Sequence, residues 1–399
     1  MWIVVYIVLL INWYNFMDDH INILLDLMRF DTSHYCINKV QFDLCAEYIA
    51  SIFSIIGFNV ELIDTTNGKL IVGKKIQSNK FPHIHFNGHY DVVTPNIDFP
   101  VTYDRDINII SGRGCSDMKG GIISIWLSLK EAIKSNIKCN YSFSFSPDEE
   151  TGGQVATAQL LDYLITFLPR NTLVVIADSS FPQVISSHRG AFWINVKISM
   201  KSSERFSSGV PSALEILCKY YKNFIETPNG IEEPVLGGLC HTSETVNMWP
   251  HTISFSIDYR FDSAYEINKI KKWVSEYFTT LNQKIKSDLL LTHLPLSWES
   301  VLEVPPCEYC KNLDTFIRDI REVVPQASLG YGKGFYDLRW FRKLGYDSSF
   351  VFGPGDIRNS HASNEQLPVK NLIACSKVYI QLIVGVANEK YTRNGETKV

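Results

Sequence analysis

The chain has 399 residues, 45% of them hydrophobic and 20% charged, enough apolar material for one large core or for two domains. Lys and Arg total 38 against 42 Asp and Glu, a formal charge of −4 without blocks of like charge, which argues against the basic surface of a nucleic-acid binder and for a small substrate. The 9 cysteines, an odd count at irregular spacing, argue against a secreted disulfide framework and fit a reducing cytoplasm. The C-x-x-C of Cys307 and Cys310 has no second pair or neighbouring histidine and is read as a chance pair.

The chain opens on the apolar run MWIVVYIVLLI, short of the ~20 residues that cross a bilayer as a helix. It also lacks a basic flank and a small-residue cleavage site, so residues 1–16 are read as an appendage ahead of an ordinary start at Met17, with membrane attachment the weaker reading. From about residue 20 to 180, helical periods (Ile23, Leu24, Leu27; then Phe42, Cys45, Ala46, Ile49, Ile52) alternate with short apolar strands, predicted at 83–87, 141–146 and 173–177. That alternation predicts an α/β layer fold. Between 185 and 298 the texture changes to alternating segments at 192–198 and 252–259 with helical stretches at 211–224 and 264–281, a small α+β insertion. After Pro305 a helical period resumes (Leu313, Phe316, Ile317, Ile320) and a strand at 349–352 leads into FGPG. The expected organisation is a catalytic domain in two parts, 17–184 and 299–390, interrupted by the insertion at 185–298.

The acids and histidines that draw attention follow directly on predicted strands: His89 and Asp91 after HIHFN, Glu149 and Glu150 after YSFSFS, Asp178 after LVVIA, and His361 after SSFVFGPG. Open α/β sheets bind ligands beyond the carboxyl ends of their strands, so these side chains can converge on one crevice. Asp117 joins them from the glycine-rich loop GRGCSDMKGG, just ahead of an apolar-periodic helix. His89, Asp117, Glu150, Asp178 and His361 form a ligand set suited to two divalent ions, and its three carboxylates offset most of their charge. The neighbouring Glu149 is free to act as a base. Asp91, two residues from His89 on an extended segment, can accept the ring's other N–H. Taken singly, each of these residues has a bland reading: a solvated DEE run, an incidental H-x-D, a turn-capping Asp178, a loop histidine. Their joint placement at successive strand ends, in an order that can close one site, carries the functional reading.

Seven segments, NGHYDVV (87–93), SGRGCSDMKGG (111–121), SPDEETGG (146–153), VVIADSS (174–180), HRG (188–190), VNMWPHTISFSIDYR (246–260) and FGPGDIRNSHASNE (352–365), resemble the M20 metallopeptidase family of deacylases, aminoacylases and carboxypeptidases. The GPG followed by His361 resembles the acetylornithine deacetylase branch. The resemblance implies a zinc-peptidase α/β mixed-sheet catalytic domain with an inserted smaller α+β lid, which in many members also makes a homodimer. It implies two divalent ions, zinc or cobalt, with His89 and Asp178 on one, Glu150 and His361 on the other, and Asp117 between them. Glu149 would be the general base for the attacking water and Asp91 would orient His89. Asn247 and Arg260 would bind the substrate carboxylate, a task that suits the planar guanidinium, with Gly353 and Gly355 beside the substrate. The implied reaction is removal of an acyl group from an N-acyl amino acid, or cleavage of a short peptide, in the cytoplasm.

Two departures stand out. Many relatives carry a lid histidine that stabilises the oxyanion, a task worth about 3–4 kcal/mol, and the corresponding stretch MKSSERF (200–206) offers Glu204 and Arg205 instead; His241 and His251 are the remaining candidates. In GKGFYDLRWF (332–341), Phe335 and Tyr336 stand where relatives have small hydroxyl residues, which predicts an altered acyl pocket. The missing histidine also motivates a reading of another class, a lapsed enzyme that only binds. The complete ligand set and Glu149 argue against it.

Overall fold

The computed structural model describes residues 17–391 apart from 35–37, 95–99, 202–209, 229–230, 232–233, 242–248, 263 and 309–312. The appendage 1–16, Asn247, Cys310, Glu204 and Arg205 therefore lie outside the described residues.

In chain order, the first stretch holds α1 (Met17–Met28), α2 (Lys39–Ile55), β1 (Asn59–Thr65), β2 (Gly68–Lys75), β3 (His83–His89), β4 (Thr102–Asp104), β5 (Ile109–Ser111), α3 (Gly120–Lys134), β6 (Asn140–Ser146), α4 (Ala156–Leu164), β7 (Leu173–Ser179) and β8 (Gln183–His188). Next come β9 (Gly190–Ser199), α5 (Ala213–Phe224), β10 (Val235–His241), β11 (Thr252–Phe261), α6 (Ala264–Asp288) and β12 (Leu296–Val304). The chain ends with α7 (Asp314–Val323), β13 (Ser328–Gly332), α8 (Leu338–Lys343), β14 (Ser349–Gly353), β15 (Gln366–Pro368) and α9 (Val369–Ala387).

The first of two units gathers the chain up to Ser187, Glu308–Gly332 and the chain from Tyr336 onward around a mixed sheet in the order β1-β2-β6-β3-β7-β14-β8-β13. Its centre is parallel, β6 with β3, β3 with β7, and β7 with β14. Every residue of these four strands is buried, as expected of strands covered on both faces. Along β3 alternate side chains serve different faces. Phe86 meets Tyr379 of α9 at 5.1 Å, on the side where α9 packs along α3, whereas His85 meets Phe341 of α8 at 5.6 Å. The odd-numbered face of β3 thus runs His83, His85, Asn87, His89 and arrives at the carboxyl edge of the parallel strands.

The second unit comprises His188–Cys307 with Lys333–Phe335. Its four antiparallel strands run β10-β11-β9-β12. β11 alternates buried and half-buried along its length, and Ile253, Phe255, Ile257 and Tyr259 share a core with Phe192, Ile194, Val196 and Ile198 of β9 and with apolar residues of α5 and α6. A capping box starts α5: Ser212 Oγ accepts from the Glu215 amide at 3.2 Å, and the Ser212 amide donates to Glu215 Oε2 at 2.6 Å. The expected insertion boundary at 298 needs correction, because it falls inside β12, which pairs with β9 from Leu296 to Val304. A bulge between Ser300 and Leu302 breaks the alternation that would have marked this strand in the sequence.

Candidate functional site

The carboxyl ends of β3, β6, β7 and β14 bring the expected residues of the first unit together. His89 ends β3, Glu149 and Glu150 sit in a single helical turn just after β6, Asp178 is the penultimate residue of β7, and Asp117 comes from the turn leading into α3. His361 follows β14 and holds a φ of 63°, the left-handed region that histidine tolerates better than most residues.

Two groups of ligand atoms share Asp117. His89 Nε2 lies 3.2 Å from Asp117 Oδ1 and 3.8 Å from Asp178 Oδ2. His361 Nε2 lies 3.0 Å from Glu150 Oε2 and 3.4 Å from Asp117 Oδ2. Within each group the ligand atoms lie within 4.8 Å of one another, the spread expected of donors around one cation. Asp117 turns one oxygen to each group. Glu149 Oε2 stands 3.9 Å from His89 Nε2 and belongs to neither group.

The electrostatics of the metal-free chain ask for positive charge here. Burial, followed by the nearby Asp117 carboxylate, holds Asp178 well above the ordinary carboxylate range. Burial raises Glu149 in the same way, with His89 opposing and Asp178, Asp337 and Glu150 adding to the rise. Burial and Asp117 also raise Glu150. Although burial works to lower it, the carboxylates of Asp117 and Glu150 push His361 up to about 11. His89 is raised well above its ordinary value against its own burial by Asp117 and Asp91. Two buried atoms of cluster residues, His89 Nε2 and Glu150 Oε1, have no hydrogen-bond partner among the described residues. Such groups are costly to bury unsatisfied, and a pair of cations between them fits the donor set, one imidazole with carboxylates on each side.

Asp91 works behind the cluster. His89 Nδ1 lies 3.0 Å from the backbone carbonyl of Asp91 and 3.3 Å from its carboxylate, so carbonyl and side chain share the orienting role expected of the side chain alone. The same carboxylate accepts from the amides of Glu149 at 3.2 Å and Glu150 at 3.0 Å, joining β3 to the turn that carries both glutamates. Burial opposes its ionisation, but His34 and His89 draw Asp91 down to about 2.

Of the expected substrate-binding residues, Gly353, Gly355 and Arg260 lie among the described residues. A Cβ on Gly353 would stand 2.2 Å from the carbonyl oxygen of Ala177, and one on Gly355 would stand 2.1 Å from that of Ser116. These glycines let backbones that carry the candidate ligand residues close on each other. Arg260, in the second unit, is held by Asp258 through Nε at 3.0 Å and Nη2 at 2.7 Å, leaving Nη1 as a buried donor without a partner among the described residues. Its guanidinium also lies 5.4 Å from the ring centre of Phe335 and 5.9 Å from that of Trp193.

Three residues not assigned a site role in the sequence touch the centre. Tyr336, noted only as a bulky replacement, is buried and donates from its hydroxyl to the Ser179 carbonyl at 3.2 Å, next to Asp178. His34 Nε2 sits 3.2 Å from Asp91 Oδ2 and 2.9 Å from the Pro147 carbonyl. Glu365 underlies the Asp117 turn. Only the placement of Glu365 four residues after His361, within one resembling segment, could have pointed to it.

Residues 85–384 match the sequence profile of peptidase family M20/M25/M40. Succinyl-diaminopimelate desuccinylase of Nautilia profundicola is 24% identical over 320 residues, covering 75% of this chain and 83% of that protein. The enzyme of the same name from Pelagibacter ubique is 23% identical over 368 residues, covering 84% and 92%. The solved structure of human carnosine dipeptidase 1 superposes with a TM-score of 0.77 over 93% of this chain and 97% of that one, at 13% identity, a likeness of fold.

Proposed function

The chain belongs to peptidase family M20/M25/M40, the metallohydrolases of amide bonds, and from that premise we propose that it removes an acyl group from the amine of a small, carboxylate-bearing N-acyl amino acid. The observation that carries this reading is the shared Asp117, one oxygen toward His89 and Asp178 and the other toward Glu150 and His361, with Glu149 alongside. When bound, two divalent cations would supply Lewis acidity at the scissile carbonyl and lower the pKa of water to roughly 7. His89 and Asp178 would hold one, Glu150 and His361 the other, and Asp117 both.

Glu149 is the base of the reaction in this reading. Its carboxyl is buried, and burial, with Asp178, Asp337 and Glu150 nearby, raises its proton affinity above that of an ordinary carboxylate, the direction that suits a general base. It takes the proton of the attacking water and delivers it to the leaving amine as the amide C–N bond breaks. Asp91 keeps Glu149 and Glu150 in register with His89 through their amides. Arg260 would bind the substrate carboxylate, a task that suits its planar guanidinium.

The desuccinylases among the relatives support an N-acyl amino acid with an acidic acyl or amine part over an acetylated one. The likeness to a dipeptidase keeps a second reading, hydrolysis of dipeptides by the same residues, open to the same assay. Amine release from N-succinyl, N-acetyl and N-formyl amino acids and from dipeptides, by zinc- or cobalt-loaded protein, decides between them. Release that requires both metal and Glu149, and that ranks an N-acyl amino acid first, supports the proposal. Turnover of dipeptides alone would replace it. A homodimer through the second unit is part of the same reading, and light scattering of the purified chain tests it.

A further inference from the structure

Asp117 is common to both ligand groups, yet it lies in the turn ahead of α3, outside the regular helix. Its backbone, at φ −122° and ψ 97°, departs from helical geometry, so the amides of the turn before α3 need acceptors from elsewhere. Glu365 provides them. The side chain is 1% exposed, and its Oε1 accepts from the amides of Ser116 at 2.7 Å and Asp117 at 2.9 Å. Its Oε2 accepts from the amide of Gly114 at 3.0 Å and from Arg113 Nη1 at 2.6 Å.

Two further bonds extend the tie. The Gly112 amide donates to the backbone carbonyl of Glu365 at 3.0 Å, and Arg113 Nη2 donates to the carbonyl of Ala362, the residue after His361, at 3.1 Å. One buried carboxylate therefore binds the amide of Asp117 directly and is joined through Arg113 to the backbone next to His361. These residues lie some two hundred and fifty positions apart in the chain, and they must be held in register if one oxygen of Asp117 is to face His361 while the other faces His89.

We infer that Glu365 is a positioning residue that fixes Asp117 relative to His361, so that the second cation meets a preformed set of donors. The inference rests on the dinuclear reading above. The carboxylate is needed as such: an amide offers one acceptor oxygen, so Glu365→Gln would leave one pair of N–H donors facing an NH2 group. Partners that hold a ligand in place are commonly worth 10–100-fold in metal affinity.

The test is a zinc titration of chelator-stripped protein against a competing chromophoric chelator, below the melting temperature of the metal-free chain, for the wild type, Glu365→Gln and Glu365→Asp. Glu365→Gln should bind zinc about 10–100-fold more weakly. Glu365→Asp, with both acceptor oxygens kept, should recover part of that loss. Equal zinc affinity in Glu365→Gln and wild type would overturn the inference even if the variant melts lower, because it would leave Glu365 a purely structural part. Should Glu365→Gln fail to fold, Arg113→Met, which removes one donor and the tie to Ala362, is read in the same way: a smaller fall supports the inference and no fall overturns it. A wild type that takes up no zinc is a separate failure, which removes the dinuclear reading and this inference with it.

Discussion

The two halves of one face of β3 carry the same residue type to opposite ends. At the start of the strand, His83 Nε2 and His85 Nδ1 share the Ser142 hydroxyl at 2.8 and 2.7 Å, His85 Nε2 reaches Ser144 Oγ at 2.9 Å, and Asn87 donates to that oxygen at 3.1 Å. At its end, His89 faces carboxylates. A hydroxyl can both donate and accept, so neutral imidazoles and serines satisfy one another without net charge. Burial accordingly lowers His83 to about 4 and His85 well below its ordinary value, while the carboxylates raise His89 despite equal burial. A buried histidine is thus neutral or charged according to whether its neighbours leave charge unbalanced.

The largest expected effect breaks the charged half. Glu149→Gln should lower turnover by about 10²–10⁴-fold, the usual worth of a general base, with zinc uptake unchanged. Steady-state rates beside a metal analysis would show it, and a variant that loses zinc along with activity would make Glu149 a ligand instead.

Zinc should also stabilise the fold. At a free concentration of about 1,000 times Kd the gain is about 4 kcal/mol, seen as a rise in melting temperature that a chelator reverses.

Damage to the neutral half should do the reverse. His85→Leu leaves the Ser142 and Ser144 hydroxyls short of a partner and should cost about 2–3 kcal/mol in urea melts, while zinc affinity stays at the wild-type value. The same pair sets an acid limit. Because His83 and His85 titrate lower folded than unfolded, the unfolded chain takes up protons first, and stability falls as pH drops from 6.5 toward 4. For His83 alone the loss is at most about 3 kcal/mol, and comparing wild type with His83→Asn across that range isolates it.

The smallest effect has the opposite sign. Asp178 is held above the ordinary carboxylate range, so in the metal-free chain its ionisation opposes folding as pH rises. Asp178→Asn should therefore raise metal-free stability near neutral pH while weakening zinc binding. A variant less stable than wild type without metal would mean that the acidic cluster is balanced by the protein alone.

The charged half of this contrast is legible in the sequence, and the reason is topological. Parallel strands buried on both faces read as short apolar runs, and residues just beyond their carboxyl ends must face the same crevice, which is how His89, Glu149, Glu150, Asp178 and His361 were found. Asp117 stood out through its glycine-rich loop. Glu365 and His34 did not, because each owes its part to contacts with distant segments that no local period records. The histidine and serine ladder is hidden for a related reason: HIHFN and YSFSFS read as apolar strands, and the pairing of His85 with Ser142 is a matter of register between β3 and β6. Likewise Gly353 and Gly355 resemble a substrate loop in sequence, whereas their close backbone contacts emerge only in three dimensions.

Native mass spectrometry of chelator-stripped protein titrated with zinc tests the central claim most directly. The account predicts two ions per chain for the wild type and for Glu149→Gln, and the loss of tight binding of both in Asp117→Ala, since that residue faces both groups. A wild type that saturates at one ion, or an Asp117→Ala variant that still holds two tightly, would contradict a centre built around a shared Asp117.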